Sequence, residues 1–481
     1  MLLSKLAKAA EKYVIEISGD CKIGQITQDS RDRTQEGLFF CISGAHFDAH
    51  RFAEDAIRNG AVALVVTRKL ANFAVPQVLV SNDRAAMALM AAEFYGQPAK
   101  KLRIIGITGT KGKTTTTYFV KSILEAAGVK AGLIGTTGIM IGNQWLEGHL
   151  TTPDPIELHS ILKKMVDAGV QVVCMEASAH AISMRRVEGV RFEVGCFTNL
   201  SQDHLDYFET MDKYFLAKQT FFTSGLVQNA AINADSEAGL QLIKELNIPF
   251  TKFGISENAD VFARDIEITE EGVHFSLCLW DAESFPVQLK LMGMFNVYNA
   301  LSAASICLMI GIVPQDIVQG LEQLHTVPGR AEVLDTNTPY KVLIDYSHSP
   351  DAMENILNSV RDFVHGKVIV VFGCGGDRDK VKRPLMGEIA GKLADYSILT
   401  SDNPRMEDPY LILSAIEKGI KTTQGVYEVI ENRKDAIAKA LSIAKSGDIV
   451  ILAGKGDETY QEIKGVKRNF NEKQIVKELL K

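Results

Sequence analysis

The stretch Ile104-Ile105-Gly106-Ile107-Thr108-Gly109-Thr110-Lys111-Gly112-Lys113-Thr114-Thr115-Thr116-Thr117 decides how the chain is read. A β-branched apolar run enters a glycine-containing loop and leaves it through Gly-Lys-Thr. Tyr118-Phe119-Val120, Ile123-Leu124 and Ala127 then recur at helical spacing. Strand, glycine loop and helix together cradle phosphate. Glycines let backbone N–H groups approach the anion, and the helix presents its positive end. The lysine adds a point charge, and the hydroxyl after it can hold Mg²⁺. Five residues separate Gly106 from Gly112, one more than in an ordinary P-loop, and Ile107 stands where the first glycine belongs. A tight turn that happens to contain Gly-Lys-Thr is the bland alternative. Strand and helix on the correct sides favour ATP or GTP binding.

A chain of 481 residues exceeds one hydrophobic core and implies two to four domains. A net charge of −7 argues against nonspecific nucleic-acid binding. The seven cysteines are scattered, mostly in apolar runs, as expected of free thiols in a reducing cytosol. No apolar stretch is long enough to span a bilayer. The expectation is a cytoplasmic protein without a membrane span or nucleic-acid partner.

Residues 1–98 read as a first unit, with polar segments at Asp29-Ser30-Arg31 and Gly44 to Arg51 that together could grip an anion. Residues 99–329 alternate apolar runs with helical segments, the pattern of a mainly parallel sheet flanked by helices. Loops after such strands gather along one ligand-binding edge. Glu176 ends one strand there and Asp203-His204-Leu205-Asp206 follows the next, which favours a metal site over strand-end polarity. Lys218 lies at helical offsets from Tyr214, Phe215, Phe221 and Phe222, on the aromatic face. Two readings stay open for it: a snorkelling lysine, or a desolvated amine with lowered pKa. Asn296 and Asn299 share one helix face, to contact a nucleotide or merely to cap.

Residues 330–481 repeat the architecture after a Val327-Pro328-Gly329-Arg330 hinge. Four apolar strands each release a polar loop: Asp345 to Pro350, Gly373 to Asp379, Thr400 to Arg405, and Ala453 to Glu458. Turns alone do not need Arg, Asp and Glu each time. A second ligand edge facing the first is the reading.

Taken together, these motifs resemble the Mur ligases of peptidoglycan precursor synthesis. The likeness rests on Thr108 to Thr114, Asp29-Ser30-Arg31, Thr151-Thr152-Pro153, Glu176 to His180, Asn199 to Asp206, the Asn296/Asn299 helix, Gly329-Arg330 and Asp345 to Pro350. Folylpolyglutamate synthases share the ATP loop and lysine but not the first unit or Asp402-Asn403-Pro404-Arg405. The resemblance implies an α/β protein of three domains. These are a small UDP-substrate domain (1–98), a central P-loop-type ATPase domain with a mainly parallel sheet (99–329) and a Rossmann-like amino-acid domain (330–481). It implies roles in cell-wall biogenesis, cell shape and division, and a monomer.

Asp402-Asn403-Pro404-Arg405 resembles the motif of members that add meso-diaminopimelate to UDP-N-acetylmuramoyl-L-alanyl-D-glutamate. An arginine can take the second carboxylate of diaminopimelate with two parallel hydrogen bonds. By the same resemblance Arg378 holds the other carboxylate, and Gly454 and Glu458 take the distal ammonium. Ser30, Gly44, Ala45, His46, Phe47, Asp48, Thr151, Thr152, Ser178 and Arg186 correspond to UDP-substrate contacts. ATP falls to Gly109, Thr110, Lys111, Gly112, Lys113, Thr114, Thr115, Asn299, Arg330, Asp345 and His348. Thr114, Glu176, His204 and Lys218, the last as a carbamate, correspond to the Mg²⁺ site, with Lys113 beside them in the catalytic set. Departures occur at Asp457, Met184, Leu150 and Ala179, where the family usually has His, Gln, Asn and Ser. The implied activity is ATP-dependent amide synthesis through an acyl phosphate. The rivals are an L-lysine-adding member and, from another class, a nonenzymatic ATP-dependent switch.

Overall fold

A computed structural model describes residues 1–481 apart from 45–46, 270, 281–282 and 362. The apolar runs become strands of three principal sheets, with five, eleven and six strands, beside a small hairpin. In the N-terminal sheet, Ala61–Val66 is central and parallel to Gly37–Phe40 and Gln77–Val80. Helix Asp83–Phe94 covers one face, its first turn capped by the Asn82 side chain. A 3-10 turn at Pro98–Lys101 then leads into the central domain.

Strand Arg103–Thr108 lies mid-sheet between Val172–Glu176 and Phe192–Phe197, parallel to both. It is buried on both faces, as its unbroken apolar sequence requires. Ala131–Gly135, Val227–Asn233, Phe250–Gly254 and Val261–Thr269 continue the parallel register. The two edges turn antiparallel: Gly272–Leu279 and Glu283–Leu289 on one side, Gly138–Ile141 and Gln144–Leu146 on the other. The sheet is thus mainly parallel, as expected, with antiparallel strands confined to its two edges. Val273, Phe275 and Leu277 alternate into the core, so this edge packs one face only.

The C-terminal sheet runs Glu332–Leu334, Lys341–Asp345, Ile449–Ala453, Val368–Phe372, Tyr396–Leu399, Tyr427–Val429, parallel after its first pair. Its four apolar strands are neighbours, so their trailing loops share one edge. No helix among the described residues is long and apolar enough to cross a membrane.

Candidate active site

The phosphate loop turns on two glycines with positive φ, Gly109 at 143° and Gly112 at 86°. Neither tolerates a side chain. A Cβ at Gly109 would sit 1.9 Å from Thr198 Oγ1, and one at Gly112 would sit 2.4 Å from Asn299 Oδ1. The loop is held from outside by the next strand end, where Thr198 Oγ1 donates to the Lys111 carbonyl at 2.6 Å. Asn199 Oδ1 accepts from the Lys111 N–H at 2.9 Å. Thr198 and Asn199 thus shape the loop, a role that the sequence reading did not give them. Asn296 and Asn299 turn toward the protein: Asn299 donates to Asn296 Oδ1, and Asn296 donates to the Met292 carbonyl.

Helix Lys113–Ala126 begins at the loop lysine. Lys113 Nζ donates to the carbonyls of Gly109 (3.0 Å) and Thr110 (2.9 Å). Burial lowers its pKa to about 8. Lys218, on helix Met211–Thr223, is only 1% exposed and donates to the same Gly109 carbonyl at 2.7 Å. Its ammonium lies 4.4 Å from the Tyr214 ring centroid. The snorkelling reading fails, because the ammonium never reaches water. Burial first, and then the Lys113 charge, push its pKa well below the usual lysine value.

Thr114 Oγ1 donates to Glu176 Oε1 at 2.9 Å, and the Thr136 N–H donates to the same oxygen at 2.8 Å. Arg330, arriving from the hinge, donates to Thr114 Oγ1 at 3.1 Å while its guanidinium covers the Tyr346 ring. Asp345 accepts from the Ala331 N–H and the Ser347 N–H, locking the hinge onto the C-terminal sheet. His348 accepts or donates at the Tyr346 carbonyl (2.7 Å), and burial and the Lys111 and Lys382 charges lower its pKa to about 3. Lys111 pairs with Asp203 at 3.2 Å.

His204 takes a left-handed backbone (φ 56°) and stacks edge-on to His180, their centroids 4.7 Å apart. Burial lowers its pKa to about 4, so the imidazole is neutral and able to ligate. Thr114 and Glu176 are joined directly, while Lys218 meets the loop at the Gly109 carbonyl. Among the described residues no three His, Cys, Asp or Glu side chains converge as a preformed metal cluster. Hydroxyl and carboxylate oxygens are nevertheless the donors that Mg²⁺ takes. Mg²⁺ usually keeps waters and shares one or two carboxylates with substrate phosphates.

Thr151, Thr152, Ser178 and Arg186 come together beside Glu176. Thr151 Oγ1 meets Thr136 Oγ1 at 3.0 Å, and Thr152 Oγ1 donates to the Glu176 carbonyl at 2.8 Å. Ser178 N–H donates to Thr152 Oγ1 and Arg186 donates to the Thr152 carbonyl. Arg186 also pairs with Asp154 at 2.8 Å, and Gln28 bonds Asp154 from the first domain. Met184 offers its sulfur to Arg186 at 3.7 Å, so this departure still supports the guanidinium. Ser30 accepts from Asn59 through its carbonyl, Gly44 donates to the Phe47 carbonyl, and Asp48 binds His50 and Arg68. Ala45 and His46 lie outside the described residues. Ala179 packs with Phe208 and Tyr214, and Leu150 is exposed.

At the second edge the Gly373–Asp379 and Asp402–Glu407 loops lie against each other. Arg378 and Arg405 flank Gly375, whose Cβ would meet Arg405 Nη1 at 2.9 Å and Arg378 Cγ at 3.8 Å. Arg405 adopts φ 50°, donates to the Gly376 carbonyl and lies 3.5 Å from Glu462. Behind it, Lys455 is wholly buried and donates to Glu458 Oε2 (3.0 Å) and Asn403 Oδ1 (3.1 Å). Asn403 also donates to Glu458, and Gly454 abuts the Asp402 carboxylate. Pro404 directs its carbonyl to the Glu407 N–H. The loop after Ala453 is anchored by Arg433, which donates to the Ala453 carbonyl and pairs with Glu472, both side chains fully buried. Asp457 lies against Gly329, where burial raises its pKa. Lys455, Arg433 and Arg383 were missed from sequence.

With this geometry in place, comparison with known proteins decides the family. Residues 107–307 match the Mur ligase middle domain, and residues 329–456 match the Mur ligase glutamate ligase domain. The chain belongs to the Mur ligase family. It is 44% identical over 477 residues to UDP-N-acetylmuramoyl-L-alanyl-D-glutamate–2,6-diaminopimelate ligase 1 of Clostridium acetobutylicum, covering 98% of this chain and 97% of that one. The corresponding ligase of Clostridium botulinum is 42% identical over 487 residues, with full coverage of both. A solved structure of a UDP-N-acetylmuramoyl-L-alanyl-D-glutamate–2,6-diaminopimelate ligase superposes with a TM-score of 0.70 at 31% identity, covering 99% and 98% of the two chains. This Mur ligase has the three-domain architecture expected of the family, and the family makes amide bonds at the expense of ATP.

Proposed function

We propose that the chain joins meso-diaminopimelate to the D-glutamate of UDP-N-acetylmuramoyl-L-alanyl-D-glutamate, using ATP, in peptidoglycan precursor synthesis. The observation that carries this reading is the charge pattern of the second edge. Arg378 and Arg405 stand together around Gly375, with Asp402 and Glu458 on the adjoining strand ends. Two cations and two carboxylates suit a zwitterion with carboxylates at both ends. Lysine has no second carboxylate, so it would forgo the charge-assisted hydrogen bonds that one of these guanidinium groups can offer.

The first half of the reaction is carboxylate activation. The D-glutamate γ-carboxylate attacks the ATP γ-phosphorus, the bond to the β-phosphate oxygen breaks, and ADP leaves an acyl phosphate. The loop N–H groups and Lys113 hold the phosphates and offset their negative charge as two anions meet. Mg²⁺, held through Thr114 and Glu176 with His204 and a Lys218 carbamate nearby, would supply further charge neutralisation when bound. Lys218 has the chemistry for that modification, because burial favours loss of its ammonium proton. The free amine then adds CO₂ through nitrogen and releases one more proton to give the carbamate anion. In the second half, the diaminopimelate amine attacks the acyl carbon and phosphate leaves the tetrahedral intermediate. Thr151, Thr152, Ser178 and Arg186 hold the UDP-substrate, and Arg330 couples the hinge to the loop through Thr114.

Incorporation assays with meso-diaminopimelate and L-lysine, monitoring ADP and product, test the reading. Diaminopimelate should be the better substrate. A preference for lysine would overturn it, and ATP consumption independent of both would favour a regulatory ATPase.

A further inference from the structure

Arg383 stands apart from the residues just assigned. It lies in the first turn of helix Lys382–Leu393 and is 3% exposed, too enclosed to touch a substrate. Its guanidinium meets Glu407 with two parallel bonds, Nη1 to Oε2 at 3.0 Å and Nη2 to Oε1 at 2.9 Å. That fork-to-fork geometry fixes direction as well as distance. Glu407 in turn accepts from the Asp377 N–H at 2.5 Å, and Asp377 Oδ2 accepts from the Met406 N–H at 3.1 Å. Gly376 N–H donates to the Asn403 carbonyl at 2.9 Å. Every bond of this group crosses between the loop that carries Arg378 and the loop that carries Arg405, or ties them to the helix behind.

Both loops need such a restraint. Asp377 (φ 52°) and Arg405 (φ 50°) hold left-handed backbones. Residues with a Cβ occupy that region only when the surroundings enforce it. A Cβ at Gly376 would come within 1.9 Å of the Pro404 carbonyl oxygen, so the loops already touch at backbone distance. A shift of one loop therefore moves Arg378 relative to Arg405.

We propose that Arg383 and Glu407 are positioning residues that set the spacing of Arg378 and Arg405, and so select amino acids by the separation of their two carboxylates. The inference rests on the diaminopimelate reading above. Neither residue touches the substrate. A salt bridge that merely held the domain together would lie between any two elements. This one ties the loop of Arg405 to the helix that follows the loop of Arg378, and its carboxylate also holds the Asp377 N–H of that second loop.

The experiment compares the full-length wild type with Glu407→Gln and Arg383→Lys, measuring KM for diaminopimelate, ATP and the UDP-substrate, the diaminopimelate-to-lysine ratio, and the melting temperature. Glu407→Gln keeps the shape but loses the charge of the fork. Arg383→Lys keeps the charge but loses the fork. The expectation for each is a rise of about tenfold or more in KM for diaminopimelate, with KM for ATP and the UDP-substrate within about twofold, and a narrowed preference over lysine. All three KM values rising together, or no change in a folded variant, would overturn the positioning role. Should Glu407→Gln not fold, Glu407→Asp must show the same split, and its absence counts against the proposal equally. A wild type that does not use diaminopimelate would instead defeat the underlying functional reading.

Discussion

At the ATP edge, Lys113 and Lys218 set their ammonium groups against backbone carbonyls of one loop, and neither forms an ion pair among the described residues. At the amino-acid edge, Arg383, Arg433 and Lys455 are buried like Lys218 and more deeply than the half-buried Lys113, yet each meets a carboxylate of the protein. A carbonyl dipole compensates a buried cation incompletely, so both lysines have lowered pKa values and remain receptive to an arriving anion or to CO₂. The paired cations already have carboxylate partners and act as fixed framework. On the proposed reading, the first edge keeps charge available for carboxylate activation. The second uses charge to hold geometry, and on the proposed reading leaves Arg378 and Arg405 for the substrate.

The comparison breaks most visibly at Lys218. Lys218→Ala should cut turnover by about two to three orders of magnitude, the scale seen when a transition-state electrostatic group is removed. Short carboxylates added to the assay should restore part of it. Full activity without them would remove the carbamate and reduce Lys218 to core packing. Arg405→Ala should act on the other edge only. A loss of about a hundredfold in kcat/KM for diaminopimelate, with KM for ATP unchanged, is expected for a desolvated charge pair. Equal loss for both ligands would show that the two edges are not separable.

Much of the first edge was legible because its signals are local. The Gly-Lys-Thr loop sits between a strand and a helix whose periodicities are written in consecutive residues, and Glu176 ends a run that can only be a buried strand. The helical offsets put Lys218 among Tyr214 and three phenylalanines. They could not say whether its ammonium found water, because the answer depends on the Gly109 carbonyl 109 residues away. The second edge was legible as four polar loops but not as a charge framework. Lys380-Val381-Lys382-Arg383 looks like a solvated charge run, and nothing local distinguishes Arg383 from its lysine neighbours. Its partner Glu407 is 24 residues away, and Glu472 is 39 residues from Arg433. The antiparallel edge near Val261–Thr269 was obscured in the same way. A register shift between Arg264 and Glu267 breaks the period-two alternation that would have announced it.

The unpaired state of Lys113 gives the comparison a pH axis. With a pKa lowered to about 8 by burial, its ammonium is progressively lost as pH rises past that value. In the free enzyme kcat/KM for ATP should therefore fall above about pH 8, approaching tenfold per pH unit. The limb should be absent from kcat, where bound phosphate holds the proton on. A flat profile to pH 9.5 would mean that Lys113 is compensated as fully as the cations of the second edge.

The smallest effect belongs to the paired edge and runs in the opposite direction. Glu407 has its pKa lowered to about 2, chiefly by the hydrogen bonds from Arg383, against an unfolded value near 4.5. A carboxylate whose folded pKa is depressed contributes stability that is present above the unfolded value and lost as pH falls toward the folded one. Melting temperature should therefore decline between pH 4.5 and about 2 more steeply in the wild type than in Glu407→Gln, which has no such proton to bind. The difference should be a few degrees, because Glu407 retains some solvent exposure that screens the pair. Parallel declines would mean that the fork contributes geometry without net stability, a result known for buried ion pairs. That outcome would sharpen the contrast, leaving positioning as the reason for a carboxylate at Glu407.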